Sequence, residues 1–187
     1  SVKRSDRIQN HYVVAAFAVC TCVCLHSAQA QIIPSFTEGM MTAAERSHYE
    51  RTSTFNEVIE VLDTLDSQTD LMYRETLLLT REGRDVPLVV LANPPVSSPA
   101  QAEASGKPVI AIQANIHGGE VEGKEASLIA MRDILFGDKQ HLLDNQILIF
   151  VPIYNADGND AMRENSRPNQ ELSPVMTGVR TAHGYDL

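Results

Sequence analysis

Two polar clusters combine residue types able to do chemistry. In His117-Gly118-Gly119-Glu120 an imidazole and a carboxylate stand three residues apart around two glycines. Both groups ligate zinc at about 2.0–2.2 Å, and a tight turn can aim both at one ion. A catalytic zinc also needs a third protein ligand and an open position for water. The same spacing suits a hydrogen-bonded histidine in a turn, and His141-x-x-Asp144 and His183-x-x-Asp186 share its form. Glu122 and Glu125, just downstream, read as solvated helix residues rather than ligands. The second cluster starts at Asn155-Ala156-Asp157-Gly158, whose residue types suit a turn, with Gly158 supplying a positive φ. Beyond it, the guanidinium forks of Arg163, Arg167 and Arg180 could each grip a carboxylate or serve as surface charge. No phosphate-binding glycine loop and no Gly-x-Ser-x-Gly elbow occurs.

The surrounding patterns predict the elements that hold these clusters. Thr54 and Glu57 form a capping box, and Phe55, Val58, Ile59, Leu62 and Leu65 recur at helical spacing, so 55–66 is a predicted amphipathic helix. Leu- and Val-rich runs at 71–80 and 86–92 flank Arg81-Glu82-Gly83-Arg84-Asp85, which predicts a hairpin with Gly83 in the turn. Residues 93–107, rich in Pro, Ser and Ala, read as a loop. A largely buried strand is expected over 109–116, then a helix over 121–136 facing inward with Ala126, Ile129, Ala130 and Ile134, then a strand over 146–153. Strand, helix and strand form a βαβ unit with parallel strands and a right-handed crossover. With the hairpin in front, the class is α/β with a mixed sheet flanked by helices. Both polar clusters then lie beyond the carboxyl ends of neighbouring strands, where such sheets build sites. From Asn159 onward the chain reads as loop.

Composition narrows the function. The 187 residues are 43% apolar and 21% charged, enough for one packed domain, with a net charge of −9 that argues against a nucleic-acid partner. No run of 18 apolar residues predicts an integral membrane segment. Residues 1–30 have the layout of a secretory signal peptide: Lys3, Arg4 and Arg7, an apolar stretch over 12–25, then Ala28-Gln29-Ala30. Cleavage is expected after Ala30, leaving 31–187 as the mature domain, secreted or periplasmic. Cys20, Cys22 and Cys24 would leave with the signal, so a metal site would rest on His and carboxylates.

Four ordered segments, NIHGGEVEGKEA, VPIYNADGND, NSRPNQ and HGYDL, resemble the zinc carboxypeptidases related to carboxypeptidase A. The resemblance covers roughly 45–187, including the Glu82-Gly83-Arg84 hairpin, and corresponds to the N-terminal portion of that catalytic domain. It implies one zinc ion with His117 and Glu120 as its first two ligands. It implies that Arg167, with Arg163 as fallback, polarises the scissile carbonyl and stabilises the oxyanion. Asp186 would hydrogen-bond the zinc-binding histidine, while Asn155, Asp157 and Gly158 shape the adjoining turn. The substrate would be a peptide or protein C-terminus, hydrolysed by zinc-activated water.

In that family an Asn-Arg pair, a third zinc ligand and a general-base Glu follow the Asp-Leu segment, and this sequence stops at Leu187. His183 precedes that segment and is not offered as the third ligand. These residues are therefore expected to be an incomplete and inactive piece of a metallocarboxypeptidase. An inactive fragment, a peptide-binding pseudoenzyme and a zinc amidohydrolase acting on N-acyl amino acids are the alternatives. An uncovered strand edge and apolar face are expected to make 31–187 alone poorly soluble or partly molten.

Overall fold

The computed structural model describes residues 36–167 and 174–184. The predicted signal segment and Asp186 lie outside the described residues. After a short helix α1 (Ala43–Arg46), helix α2 spans Phe55–Asp66, the range its periodicity predicts. Its capping box is complete: Thr54 Oγ1 accepts from the Glu57 N–H at 3.3 Å, and the Thr54 N–H donates to Glu57 Oε2 at 2.9 Å. Arg51 adds a bidentate pair to the same carboxylate, at 2.7 and 3.1 Å. Burial pushes the Glu57 carboxyl up, but Arg51 and the two Thr54 donors outweigh it and bring it down to about 2.

Strands β1 (Met72–Leu79) and β2 (Asp85–Leu91) form the predicted hairpin, with Gly83 at φ 79° in its turn. The stretch after it is not wholly loop. Helix α3 (Pro99–Ser105) is capped by Ser98, whose side chain accepts from the Gln101 N–H, and it ends at Gly106 with φ 67°. Ser98, Pro99 and Gly106 are ordinary start and stop signals for a helix. One apolar position, Ala102, suffices to seat so short a helix, so no periodicity announces it.

Strand β3 (Val109–Gln113), helix α4 (Val121–Phe136) and strand β4 (Ile147–Val151) complete the expected βαβ unit. The sheet order is β1-β2-β4-β3, with β3 and β4 parallel and the other pairings antiparallel. Side chains alternate across it. Val89, Leu91, Leu148 and Phe150 face the main core with α2 and α4, whereas Val90 and Ile147 face Val96 and Ala102 of the α3 segment. The fold is therefore the mixed sheet with flanking helices that the sequence predicts.

Two burial expectations are corrected. Strand β3 is not buried: β4 inserts between it and β2, so among the described residues β3 has one strand neighbour, and Val109 and Ile110 are 48% and 42% exposed. Helix α4 turns Ile134 into the core as expected, with Ala130 packed against it, but the centre of its buried face lies to one side of the expected stripe. Lys124, Leu128, Met131 and Leu135 are buried, while Ala126 is exposed. The Ala126, Ala130 and Ile134 side of α4 lines an open groove of about 650 Å³ against Ile112 and Phe150. Periodicity marks an apolar stripe without showing which neighbour covers it.

After β4 the chain is more regular than expected. Asn155–Gly158 begins a short helix, α5 (Ala156–Asp160), and strands β5 (Arg163–Glu164) and β6 (Met176–Thr177) pair antiparallel. Gly158 is a buried helical residue and not a positive-φ turn glycine.

Candidate metal centre

The chain leaves β3 through Ala114 and Asn115, crosses the His117–Glu120 turn and enters α4 at Glu120. The Glu120 N–H donates to the His117 carbonyl at 2.9 Å, which closes the turn. Both glycines are required by close approach rather than by positive φ. A Cβ on Gly118 would lie 2.1 Å from the Gly158 carbonyl carbon, and one on Gly119 would lie 2.6 Å from the Gly178 oxygen and 2.7 Å from Arg167 Cγ. The turn is thus pressed onto α5 and onto the segment after β6. Asn155 caps α5 by accepting from the Gly158 N–H at 2.9 Å, and its Nδ2 donates to the Ile116 and Arg180 carbonyls at 3.1 and 2.9 Å.

Three of the predicted site side chains meet at this turn. His117 Nδ1 lies 2.8 Å from Glu120 Oε1, and Arg167 Nη2 donates to the same oxygen at 3.2 Å. Burial raises the Glu120 carboxyl, but the His117 hydrogen bond and charge, followed by Arg167, hold it below the usual carboxylate range. Glu120 is therefore anionic at neutral pH and offers oxygen lone pairs where the imidazole nitrogen also points. Arg163 is not brought in: it sits exposed on β5, paired in the ladder with Thr177. The Arg180 side is represented at the turn by its backbone carbonyl, which accepts from the Gly118 N–H at 3.3 Å.

Glu122 is exposed as expected, but Glu125 is buried. Its carboxylate accepts from Thr52 Oγ1 at 2.7 Å, the Ser53 N–H at 2.7 Å and Ser53 Oγ at 3.0 Å. Beside it the fully buried Lys124 ammonium donates to the Ser53 carbonyl and to Asn159 Oδ1, the latter at 2.5 Å. Burial brings the Lys124 amine from 10.5 down to about 8, against the opposing pull of Glu125. This network joins the start of α4 to α5 and to the residues that precede α2.

A second cluster went unread in the sequence. Arg84, after the hairpin turn, donates to Glu82 Oε2 at 2.6 Å and Asp157 Oδ1 at 2.7 Å, and lies 3.4 Å from Asp160. His183 Nε2 faces Asp157 Oδ2 at 3.4 Å and Glu82 Oε1 at 3.7 Å. Burial raises the Asp157 carboxyl, yet Thr80, Arg84, the Glu82 N–H and His183 together hold it low. Glu82, Asp157 and His183 are the one set of three potential metal-ligating groups among the described residues. Because Arg84 already holds an oxygen of each carboxylate, the set acts as an ion network tying hairpin, α5 and the 174–184 segment together. Its members are 26 to 101 residues apart, and sequence spacing gives no signal for it.

Residues 58–187 match the family described as zinc carboxypeptidase. The chain belongs to the zinc carboxypeptidase family. Carboxypeptidase A from Helicoverpa armigera superposes with a TM-score of 0.51 and 21% identity, over 58% of this chain and 26% of that one. Bovine thrombin-activatable fibrinolysis inhibitor, in complex with tick carboxypeptidase inhibitor, gives 0.50 and 16%, over 61% of this chain and 34% of that one. These likenesses establish the fold, and the chain spans between about a quarter and a third of those two proteins' lengths. A search of curated proteins returns no match. No helix among the described residues is long and apolar enough to cross a membrane.

Proposed function

We propose that this chain carries the first zinc ligands and the oxyanion-stabilising arginine of a metallocarboxypeptidase that hydrolyses C-terminal peptide bonds. The observation that supports it best is the convergence of His117 Nδ1 and Arg167 Nη2 on one oxygen of Glu120. The donor set fits zinc: an imidazole nitrogen and an anionic carboxylate oxygen 2.8 Å apart, on a turn braced so that both point the same way. A catalytic zinc takes three protein ligands. Among the described residues no group of three potential ligands includes His117 and Glu120.

Zinc, when bound, supplies a Lewis acid that polarises a carbonyl and acidifies water. The chain's own residues do the rest of what can be assigned. Arg167 lies over Gly119, so its guanidinium presents N–H donors beside the two ligands, where negative charge develops on a substrate carbonyl oxygen. Glu120 anchors that guanidinium and orients the imidazole at once. Asp186 is assigned to the histidine's other ring nitrogen by resemblance, with the orienting effect of such contacts. Residues 1–30 direct export and are removed after Ala30, which N-terminal sequencing of the exported protein checks by a first residue of Gln31.

The test is zinc content and turnover together. In a protein that carries this chain together with the third ligand and the general base, zinc is expected to be retained and C-terminal residues to be released from peptides, and a chelator to abolish release. His117→Ala and Glu120→Ala should lose zinc. Zinc retention unaffected by both substitutions would refute the assignment. Turnover of N-acyl amino acids in preference to peptides would move the activity to the amidohydrolase class.

A further inference from the structure

We infer that Asn115 is a positioning residue for the metal-binding turn, a role that rests on the zinc reading above. Asn115 is the last buried residue before the turn, 3% exposed, and it holds the left-handed conformation at φ 55°. That conformation is strained for most side chains and tolerated by Asn and Gly. Its side chain does not point to solvent. Nδ2 reaches the carbonyls of His117, Gly118 and Glu120 at 3.3, 3.1 and 3.1 Å. Two amide hydrogens serve three acceptors, so one hydrogen is shared. Since all three neighbours are acceptors, the nitrogen must face them, and the orientation of the amide is fixed by chemistry.

The cost of this arrangement argues for its purpose. Oδ1 of Asn115 is buried and has no hydrogen-bond partner among the described residues. A buried acceptor left unpaired is unfavourable, so the fold retains the amide for what its nitrogen holds. Together with Nδ2 of Asn155 on the Ile116 carbonyl, asparagine amides grip four of the five carbonyls from 116 to 120. The Asn155 N–H also donates to the Asn115 carbonyl at 3.0 Å, which couples the two braces. The direction of the His117 and Glu120 Cα–Cβ bonds is set by these carbonyl planes. Asn115 therefore governs the aim of both ligands without touching a metal or substrate.

Backbone conformation and the amide fork are separable by substitution. Asn115→Gly keeps φ 55° accessible and removes the fork. Asn115→Asp also tolerates this φ but replaces the donor with acceptor oxygens. Zinc affinity of the full chain is measured by competition with a chromophoric chelator, beside amide 1H–15N spectra of Gly118, Gly119 and Glu120. Leu62→Ala, in the core away from the turn, controls for lost stability, and His117→Ala for the site. Both Asn115 variants should bind zinc about tenfold or more weakly and shift the three amide resonances, while Leu62→Ala lowers Tm without moving zinc affinity. The inference is overturned if Asn115→Gly folds and binds within about twofold of wild type, or if Leu62→Ala weakens binding equally. Wild-type zinc affinity unchanged by His117→Ala would instead remove the zinc reading and this inference with it.

Discussion

Glu122 and Glu125 occupy adjacent turns of one helix and look alike in the sequence, but their removal should differ sharply. Glu125 is 7% exposed and accepts three hydrogen bonds, two of them from Ser53, which is itself fully buried. Its Oε1 also lies 3.8 Å from the Lys124 ammonium. Glu125→Ala leaves the Ser53 N–H and two hydroxyls without an acceptor and strips the counter-charge from a buried cation. Breaking a buried pair in this way costs about 3–5 kcal/mol. The lower end is favoured because Lys124, already brought to about 8 by burial, can shed its proton at pH 7. That release costs only about 1.4 kcal/mol per pH unit. At about 2–4 °C per kcal/mol for a domain of this size, Tm should fall by about 6–20 °C. Glu122→Ala, at an exposed position, should stay within about 1 kcal/mol. Urea unfolding of both variants at pH 7 decides the matter. Equal losses, or a Glu125→Ala cost below about 1 kcal/mol, would show that the network is not what joins α4 to the Thr52–Ser53 segment.

Lys124 itself sets a pH dependence. Its amine is neutral in the native state above about 8 but stays protonated when unfolded up to 10.5, so the unfolded chain binds more protons between those values. Stability should therefore rise with pH across that window, by up to about 3 kcal/mol, and Lys124→Met should abolish the rise in denaturation curves taken from pH 7.5 to 10.5. Gly118→Ala places a methyl 2.1 Å from one backbone atom and 2.4 Å from another, neither of which can rotate away. Its cost should reach or exceed the about 1–3 kcal/mol usual for overpacking, and an unchanged Tm would contradict the close approach of turn and α5. Arg167→Ala should lower kcat by about 10²–10³ while zinc content measured by elemental analysis holds steady. Loss of zinc with it would make Arg167 a support for Glu120 and not an oxyanion donor.

Much of the scaffold was legible along the chain because its causes are local. A capping box and a 3.6-residue stripe define α2 to its end residues, and Gly83 marks the hairpin turn. The parallel pairing of β3 with β4 follows from the helix between them. His117 and Glu120 were legible because a three-residue spacing around two glycines is itself a local geometry. What local pattern could not carry was who neighbours whom. The expectation of a buried β3 failed because strand order, with β4 inserted beside β2, is settled by packing. The α4 face was misjudged in part for the same reason: Ala126 is as apolar as a core needs yet is exposed, while Leu128 and Met131, off the expected stripe, are fully buried in the core.

The sequence by itself determined the family, the hairpin, α2, the βαβ unit and two candidate ligands, since each is written in residue type and short-range spacing. Tertiary structure alone decided that Arg167 and not Arg163 reaches Glu120, because the choice depends on how the chain after α5 lies across Gly119. It also decided that Glu125 is a buried keystone of the network with Lys124, and that Asn115, seen in the sequence only as a polar break in an apolar run, holds three carbonyls of the turn. Burial and hydrogen bonding between residues dozens of positions apart are properties of the packed chain, and no local window of the sequence contains them.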